Sequence, residues 1–323
     1  IKYAGPERDK LIENYIVSLE NLGRCGVKTV CYNFMPVIDW IRTDLEHPWP
    51  DGTSSLYFDH ARFAYFDIKI LERKGAADEY DSATLAKVEE LDKTLTESDK
   101  LSLIDTIIVK TQGFVNGNIH EGDREPVRIF RELLAKFDGM TKADLRENMR
   151  YFLAAIMPVC EKWGINMCVH PDDPPMEVFG MPRIVTCAED IDWFLSAVDN
   201  PHNGLTFCAG SLSAGRHNDV VEMARKFATR THFVHLRSCN CLEDGNFIEA
   251  PHTAGRADLV ELIRIFEKTN PNLPMRVDHG KTMLGDEKMG YNAGYSFHGR
   301  MLALGQVDGM LAAVKKEIKE GLI

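Results

Sequence analysis

The 323-residue sequence lacks the signatures of several large protein classes. No strand-like run is followed by G-x-G-x-x-G or G-x-x-x-x-G-K-[ST], so nothing in it builds the phosphate turn of a nucleotide fold. No apolar stretch is long enough to span a bilayer, and no secretion signal is visible, although the chain begins at Ile1 and not at Met. Paired cysteines are missing too. Cys25, Cys31, Cys160, Cys168, Cys187, Cys208, Cys239 and Cys241 are scattered, mostly in apolar runs such as "NMCVH" and "LTFCAG", and "CNC" is not a zinc-pair spacing. That usage reads as reduced, buried cysteine in a cytoplasmic protein. A basic patch is also missing. With 38 Lys and Arg against 49 Asp and Glu, the net charge is −11 and the pI about 5.5, which disfavours a nucleic-acid partner. An acidic surface does not steer an anionic substrate either. Such a substrate needs a local positive centre, an Arg or a metal.

What the sequence does have is rhythm. Hydrophobic residues make up 44%, enough for a sizeable core. The helical stripe of "RDKLIENYIVSLENLGRCG" runs through short glycine turns into the strand-like "VKTVCYNF". After residue 140 the alternation is regular: "INMCVHP", "GLTFCAGS", "THFVHLRS" and "PMRVDHG" read as buried strands, separated by amphipathic helices. This predicts a parallel sheet in an α/β fold, either a TIM (β/α)8 barrel or an open doubly wound sheet. Only five strands are clear where a closed barrel needs eight. Residues 38–140 break the rhythm. They read as a helical insertion or cap within one domain spanning 1–323, with "KTQGFVNGNIHEGDRE" as a loop; a separate small helical domain is the alternative.

The strand ends carry the chemistry. His170, Cys208, His235 and Asp278 stand at the carboxyl ends of four consecutive strands, the end where α/β barrels build active sites. Singly, each has a structural reading as a hydrogen-bonded histidine, a small core cysteine or a helix cap. Together they point to a shared metal site. Imidazole and carboxylate suit Mn²⁺, Fe²⁺ or Zn²⁺, and the thiolate leans towards Fe or Zn. His279, beside Asp278, is a general acid/base candidate. Arg237 is either a bidentate clamp for a substrate carboxylate or a salt-bridge residue. In "HPDDPP", Asp172 and Asp173 orient ligands, bind substrate hydroxyls or simply make the turn. "GYNAGYSFHGR" brings Tyr291, Tyr295 and His298 next in order, as proton carriers or as a surface loop.

"TVCYNFMPVIDWIRTDL", "VHPDDPP", "HLRS", "DHG" and "GYS…GR", in that order, resemble the mannonate dehydratases of hexuronate degradation, over nearly the whole chain. The resemblance implies a TIM-barrel lyase using Mn²⁺ or Fe²⁺ to convert D-mannonate, a small sugar acid, into 2-keto-3-deoxy-D-gluconate and water. It implies that His170, Cys208, His235 and Asp278 are the metal ligands, that His279 and Tyr295 are the catalytic pair, and that 38–140 covers the site. It also implies two further βα units ahead of Ile1, the shortfall in the strand count. A homodimer is expected of a barrel this size. The competing enzyme is a metal-dependent sugar isomerase or epimerase on the same barrel, against which Cys208 speaks. A non-catalytic sugar-acid binder needs no proton carriers beside a metal site.

Overall fold

The helical stripes and the short β-branched runs fold as their periods dictate. The computed structural model describes residues 1–112, 119–120 and 122–323. In chain order, α1 (Arg8–Arg24) feeds β1 (Thr29–Tyr32). A hairpin of β2 (Asp44–Pro48) and β3 (Ser54–Phe58) precedes α2 (His60–Tyr65), α3 (Ser82–Thr94), α4 (Glu97–Ile104) and α5 (Pro126–Leu134). Alternation returns with α6 (Lys142–Trp163), β4 (Asn166–Val169), α7 (Ala188–Ala197), β5 (Asn203–Cys208), α8 (Ala209–Ala214), α9 (Val220–Phe227) and β6 (Thr231–His235). A second hairpin, β7 (Ser238–Cys241) and β8 (Phe247–Ala250), comes before α10 (Leu259–Thr269), β9 (Met275–Arg276) and α11 (Phe297–Lys319).

Local chemistry sets the boundaries. Thr141 and Asp144 close a capping box at the start of α6, and Gly164, at φ +60°, ends it in the left-handed conformation. The chain then turns directly into β4.

The five expected strands form a parallel sheet in the order β1-β4-β5-β6-β9, the arc of a TIM-type α/β barrel. Register fixes the site. Cys208 lies opposite His235, and His235 opposite Arg276. Apolar faces of α1, α6, α7, α9, α10 and α11 pack on this arc in one core with Phe152, Leu205, Phe207, Leu262 and Phe266.

The stretch 38–140 holds helices α2–α5 and, in addition, β2 and β3, which a purely helical reading omits. These two strands join the later hairpin in a four-stranded antiparallel sheet, order β2-β3-β8-β7. Both hairpins turn on Asp-Gly, with Gly52 at φ +81° and Gly245 at φ +76°, conformations that glycine adopts without strain. A second core gathers Phe58, Phe63, Phe66 and Phe130 from 38–140 with Phe179 and Phe247 from the later chain; Phe58 and Phe247 stack at 5.0 Å. Much of the loop expected at 110–125 lies outside the described residues. Among the described residues, no helix is long and apolar enough to cross a membrane.

Candidate active site

Three strand ends converge. His170 follows β4, Cys208 ends β5 and His235 ends β6. One donor atom from each lies within 4.8 Å of the others. His170 Nδ1 is 2.7 Å from the Pro171 carbonyl. That bond requires N–H at Nδ1 and makes Nε2 the nitrogen that would bind a metal, the arrangement of a metal-ligating imidazole. His235 is buried, yet neither of its ring nitrogens makes a hydrogen bond among the described residues. A divalent ion held with the Cys208 thiol would satisfy one of these two nitrogens.

Charge at the cluster favours the Cys208 thiolate, while a bound ion would have to replace the proton that the same thiolate holds on His170. Burial opposes the Cys208 thiolate, but the Arg237 guanidinium and the His170 imidazole outweigh it and hold the thiol well below its usual range. Burial pulls His170 down, while the Cys208 thiolate pushes it up, to about 10.

Asp278 explains how two ionisable neighbours share one site. Successive strand residues face opposite ways. Asp278 has φ +57°, a left-handed conformation costly for a non-glycine residue. The twist breaks the alternation, so Asp278 and His279 both line the same cavity of about 270 Å³. The Asp278 carboxylate is 3.7 Å from His235 Nδ1. It accepts from Arg237 Nε at 2.7 Å and from Arg276 Nη2 at 2.5 Å. Burial works against its charge, but His279, His235 and the two arginines hold it well below the usual carboxylate range.

His279 Nε2 is 3.1 Å from the Tyr295 hydroxyl. The two rings meet edge to face at 4.9 Å, and the Trp40 ring stands 5.5 Å from His279. Burial, aided by the charge of Asp278, pushes the Tyr295 phenol above its ordinary range, against the pull of Arg276 and Arg237. On the other side, both oxygens of Glu249 lie 2.9 Å from His279 Nδ1.

The remaining candidates behave differently. Arg237 is buried, and each guanidinium nitrogen meets the protein: Nη2 reaches Asp173 at 2.6 Å and Ser211 at 3.1 Å, Nη1 reaches Glu249 at 3.2 Å, and Nε reaches Asp278. Asp173 also takes Arg42 Nη1 at 2.8 Å and lines the cavity. Asp172 does not line it; its carboxylate accepts from Arg183 at 3.1 Å and from the backbone N–H of Ile184 and Val185. Tyr291 is exposed, and His298 Nδ1 pairs with Asp286 at 2.6 Å.

Sequence reasoning missed Arg42, Glu249 and Arg276. A signal existed for each, since all three are ionisable residues inside apolar, strand-like runs: "WIRTDL", "NFIEAP" and "PMRVDHG". Such a residue is buried only if paired. Arg276 lines the cavity, and its buried Nε has no hydrogen-bond partner among the described residues.

The fold and this cavity define a class, a TIM-type α/β enzyme with a hydrogen-bonded His–Tyr pair beside a His/Cys donor cluster. The family model for D-mannonate dehydratase (UxuA) matches residues 1–321, and the chain belongs to that family. A mannonate dehydratase from Marinomonas sp. (strain MWYL1) is 40% identical over 317 residues, covering 95% of this chain and 79% of that protein. "Mannonate dehydratase 2" of Agrobacterium fabrum is 38% identical over 328 residues, covering 99% and 81%. The crystal structure of mannonate dehydratase from Streptococcus suis serotype 2 superposes with a TM-score of 0.72 at 30% identity, covering 98% of this chain and 74% of that one.

Proposed function

We propose that this cavity is the centre at which the chain, a hydro-lyase of the mannonate dehydratase family, converts D-mannonate into 2-keto-3-deoxy-D-gluconate and water. The observation that carries the reading is the convergence of His170, Cys208 and His235 on one point, where His170 and His235 line a cavity whose wall includes the hydrogen-bonded His279–Tyr295 pair.

His170, Cys208 and His235 would hold a divalent ion, with Asp278 turning from its arginine partners as the fourth ligand; Mn²⁺ and Fe²⁺ fit the imidazole and carboxylate, and Fe²⁺ also suits the thiolate. When bound, the ion supplies Lewis acidity to the sugar-acid carboxylate and to the charge that develops as the C2 proton leaves. The chain's own groups do the rest. His279 and Tyr295 share the two proton transfers, removal from C2 and delivery to the hydroxyl leaving C3. Arg276 lines the cavity, and its partly open guanidinium can meet a substrate carboxylate. Arg237 also lines the cavity, but it is fully engaged by Asp173, Glu249, Asp278 and Ser211, which fits an orienting role. The segment 38–140 contributes Trp40 to the wall beside His279, which supports its reading as a cover over the site.

The test is a product assay. Metal-stripped protein is incubated with D-mannonate, with and without Mn²⁺ or Fe²⁺, and 2-keto-3-deoxy acid is measured. Product that depends on the ion supports the reading. No product with either ion, in folded protein, refutes it.

A further inference from the structure

Glu249 lies behind the acid–base pair. It belongs to β8, in the antiparallel sheet and outside the barrel arc, and it is not part of the cavity wall. Its two carboxylate oxygens converge on His279 Nδ1 at 2.9 Å each. Arg42 Nη2 at 2.6 Å and Arg237 Nη1 at 3.2 Å donate to its Oε1 from other directions. Glu249, Arg42 and Arg237 are all buried. A carboxylate between two guanidinium groups acts only as an acceptor, so Nδ1 must carry the hydrogen. Whenever the ring is neutral, Nε2 then holds the lone pair, and the Tyr295 hydroxyl 3.1 Å away is the donor of the shared bond.

We propose that Glu249 is a positioning residue for the dehydration: it holds His279 in the Nδ1–H tautomer and aims the Nε2 lone pair at the Tyr295 hydroxyl. This rests on the His279–Tyr295 pairing proposed above. It gives the antiparallel sheet a functional task. The pairing of β8 with β7 and β3 carries Glu249 to the back of a histidine that the barrel arc presents from the front. A wrong tautomer would put N–H against O–H and leave the pair without a directed proton path.

The test reads tautomer and turnover separately. ¹⁵N-histidine-labelled full-length chain, metal-stripped and again loaded with diamagnetic Zn²⁺, is studied by two-bond ¹⁵N–¹H correlation. The His279 signals are assigned by their loss in H279N. The expected result is hydrogen on Nδ1 and a bare Nε2; hydrogen on Nε2 overturns the proposal, with no Glu249 variant needed. In E249Q the side-chain amide can offer N–H to Nδ1. The ring should shift towards Nε2–H, and kcat on D-mannonate should fall about 10²- to 10⁴-fold. KM should stay within about threefold, because the residue does not touch substrate. E249D, which keeps the charge, should recover part of the loss. A kcat loss with the tautomer unchanged overturns the proposal, since a merely structural role predicts that; so does wild-type kcat in folded E249Q. If E249Q does not fold, the wild-type tautomer decides. A wild-type chain that shows the expected tautomer but gives no product with Mn²⁺ or Fe²⁺ refutes the dehydratase reading and leaves standing only that Glu249 sets the His279 tautomer.

Discussion

Asp173→Asn separates two roles that the "HPDDPP" turn leaves open. In the structure Asp173 is 1% exposed, and its carboxylate joins Arg42, 0% exposed, to Arg237, 2% exposed. Asn keeps the shape but removes the charge, and it turns an amide N–H towards one of two guanidinium groups. Breaking a buried pair from one side costs about 3–5 kcal/mol, because the partner charges stay buried. For 323 residues the unfolding entropy is about 0.7 kcal/mol/K. The melting temperature of D173N should therefore fall by about 4–7 °C. The assay is thermal unfolding of metal-stripped protein, followed by steady-state kinetics on the metal-loaded enzyme. A melting temperature within about 1 °C of wild type, well short of that fall, would refute the network argument. If KM for D-mannonate rose at the same time, Asp173 would be a substrate-binding residue and not a support for the arginines.

Other perturbations read other parts of the site. Cys208→Ser should lower bound metal, measured by elemental analysis after dialysis, and product formation together, by more than the roughly 10- to 100-fold of an outer-shell change; a full metal complement would remove Cys208 from the ligand set. His279→Asn should keep the metal and lose about 10²- to 10⁴-fold in kcat; loss of the metal would reverse the assigned roles. Acid stability should follow the buried carboxylates. Arg42 and Arg237 outweigh burial and hold Asp173 well below the usual range, and His279 with the same arginines holds Glu249 down to about 2. Both folded values lie below unfolded values near 3.9 and 4.3, so this stabilisation is complete above about pH 5 and is lost as the pH falls towards 2. The urea midpoint should drop between pH 7 and pH 3, and D173N should flatten that drop; an unchanged midpoint in wild type would count against the network.

The barrel arc was legible because its strands are buried on both faces and therefore read as continuous apolar runs, "INMCVHP" and "GLTFCAGS" among them. The same logic located His170, Cys208 and His235, since ionisable residues at the ends of such runs are conspicuous. The antiparallel sheet was not legible. "DLEHP" and "SSLYF" are short and half-polar, and their partners β7 and β8 lie about 190 residues further on. The Asp-Gly pairs at 51–52 and 244–245 marked the two hairpins, but no local pattern says that the hairpins join. Glu249 was hidden for the same reason: its partners Arg42, Arg237 and His279 come from three separate segments. The cavity-facing position of His279 was equally out of reach, because it depends on a left-handed Asp278, a conformation set by the fold and not by residue preference.

Charge decides what Arg237 can do. In and behind the cavity wall, Arg42, Arg237 and Arg276 face Asp173, Glu249 and Asp278, so the arginines are matched by carboxylates one for one. A guanidinium already neutralised on every edge offers an anionic substrate geometry but little net attraction. The surface does not help, since the whole chain carries −11. Arg276 is the partly open member of the set, its side chain 36% exposed, and it shares its charge with Asp278. If Asp278 turns to a divalent ion at His170, Cys208 and His235, Arg276 and one edge of Arg237 are released in the same movement. On this reading, metal and sugar acid bind with mutual support, and the affinity for D-mannonate rises with metal loading. Titration calorimetry of D-mannonate into metal-stripped and Mn²⁺-loaded H279N, which keeps the proposed ligands but lacks the proton carrier, measures that coupling. Equal affinity in the two states would show that the arginines are free without the metal, and that the matched pairs do not set access to the site.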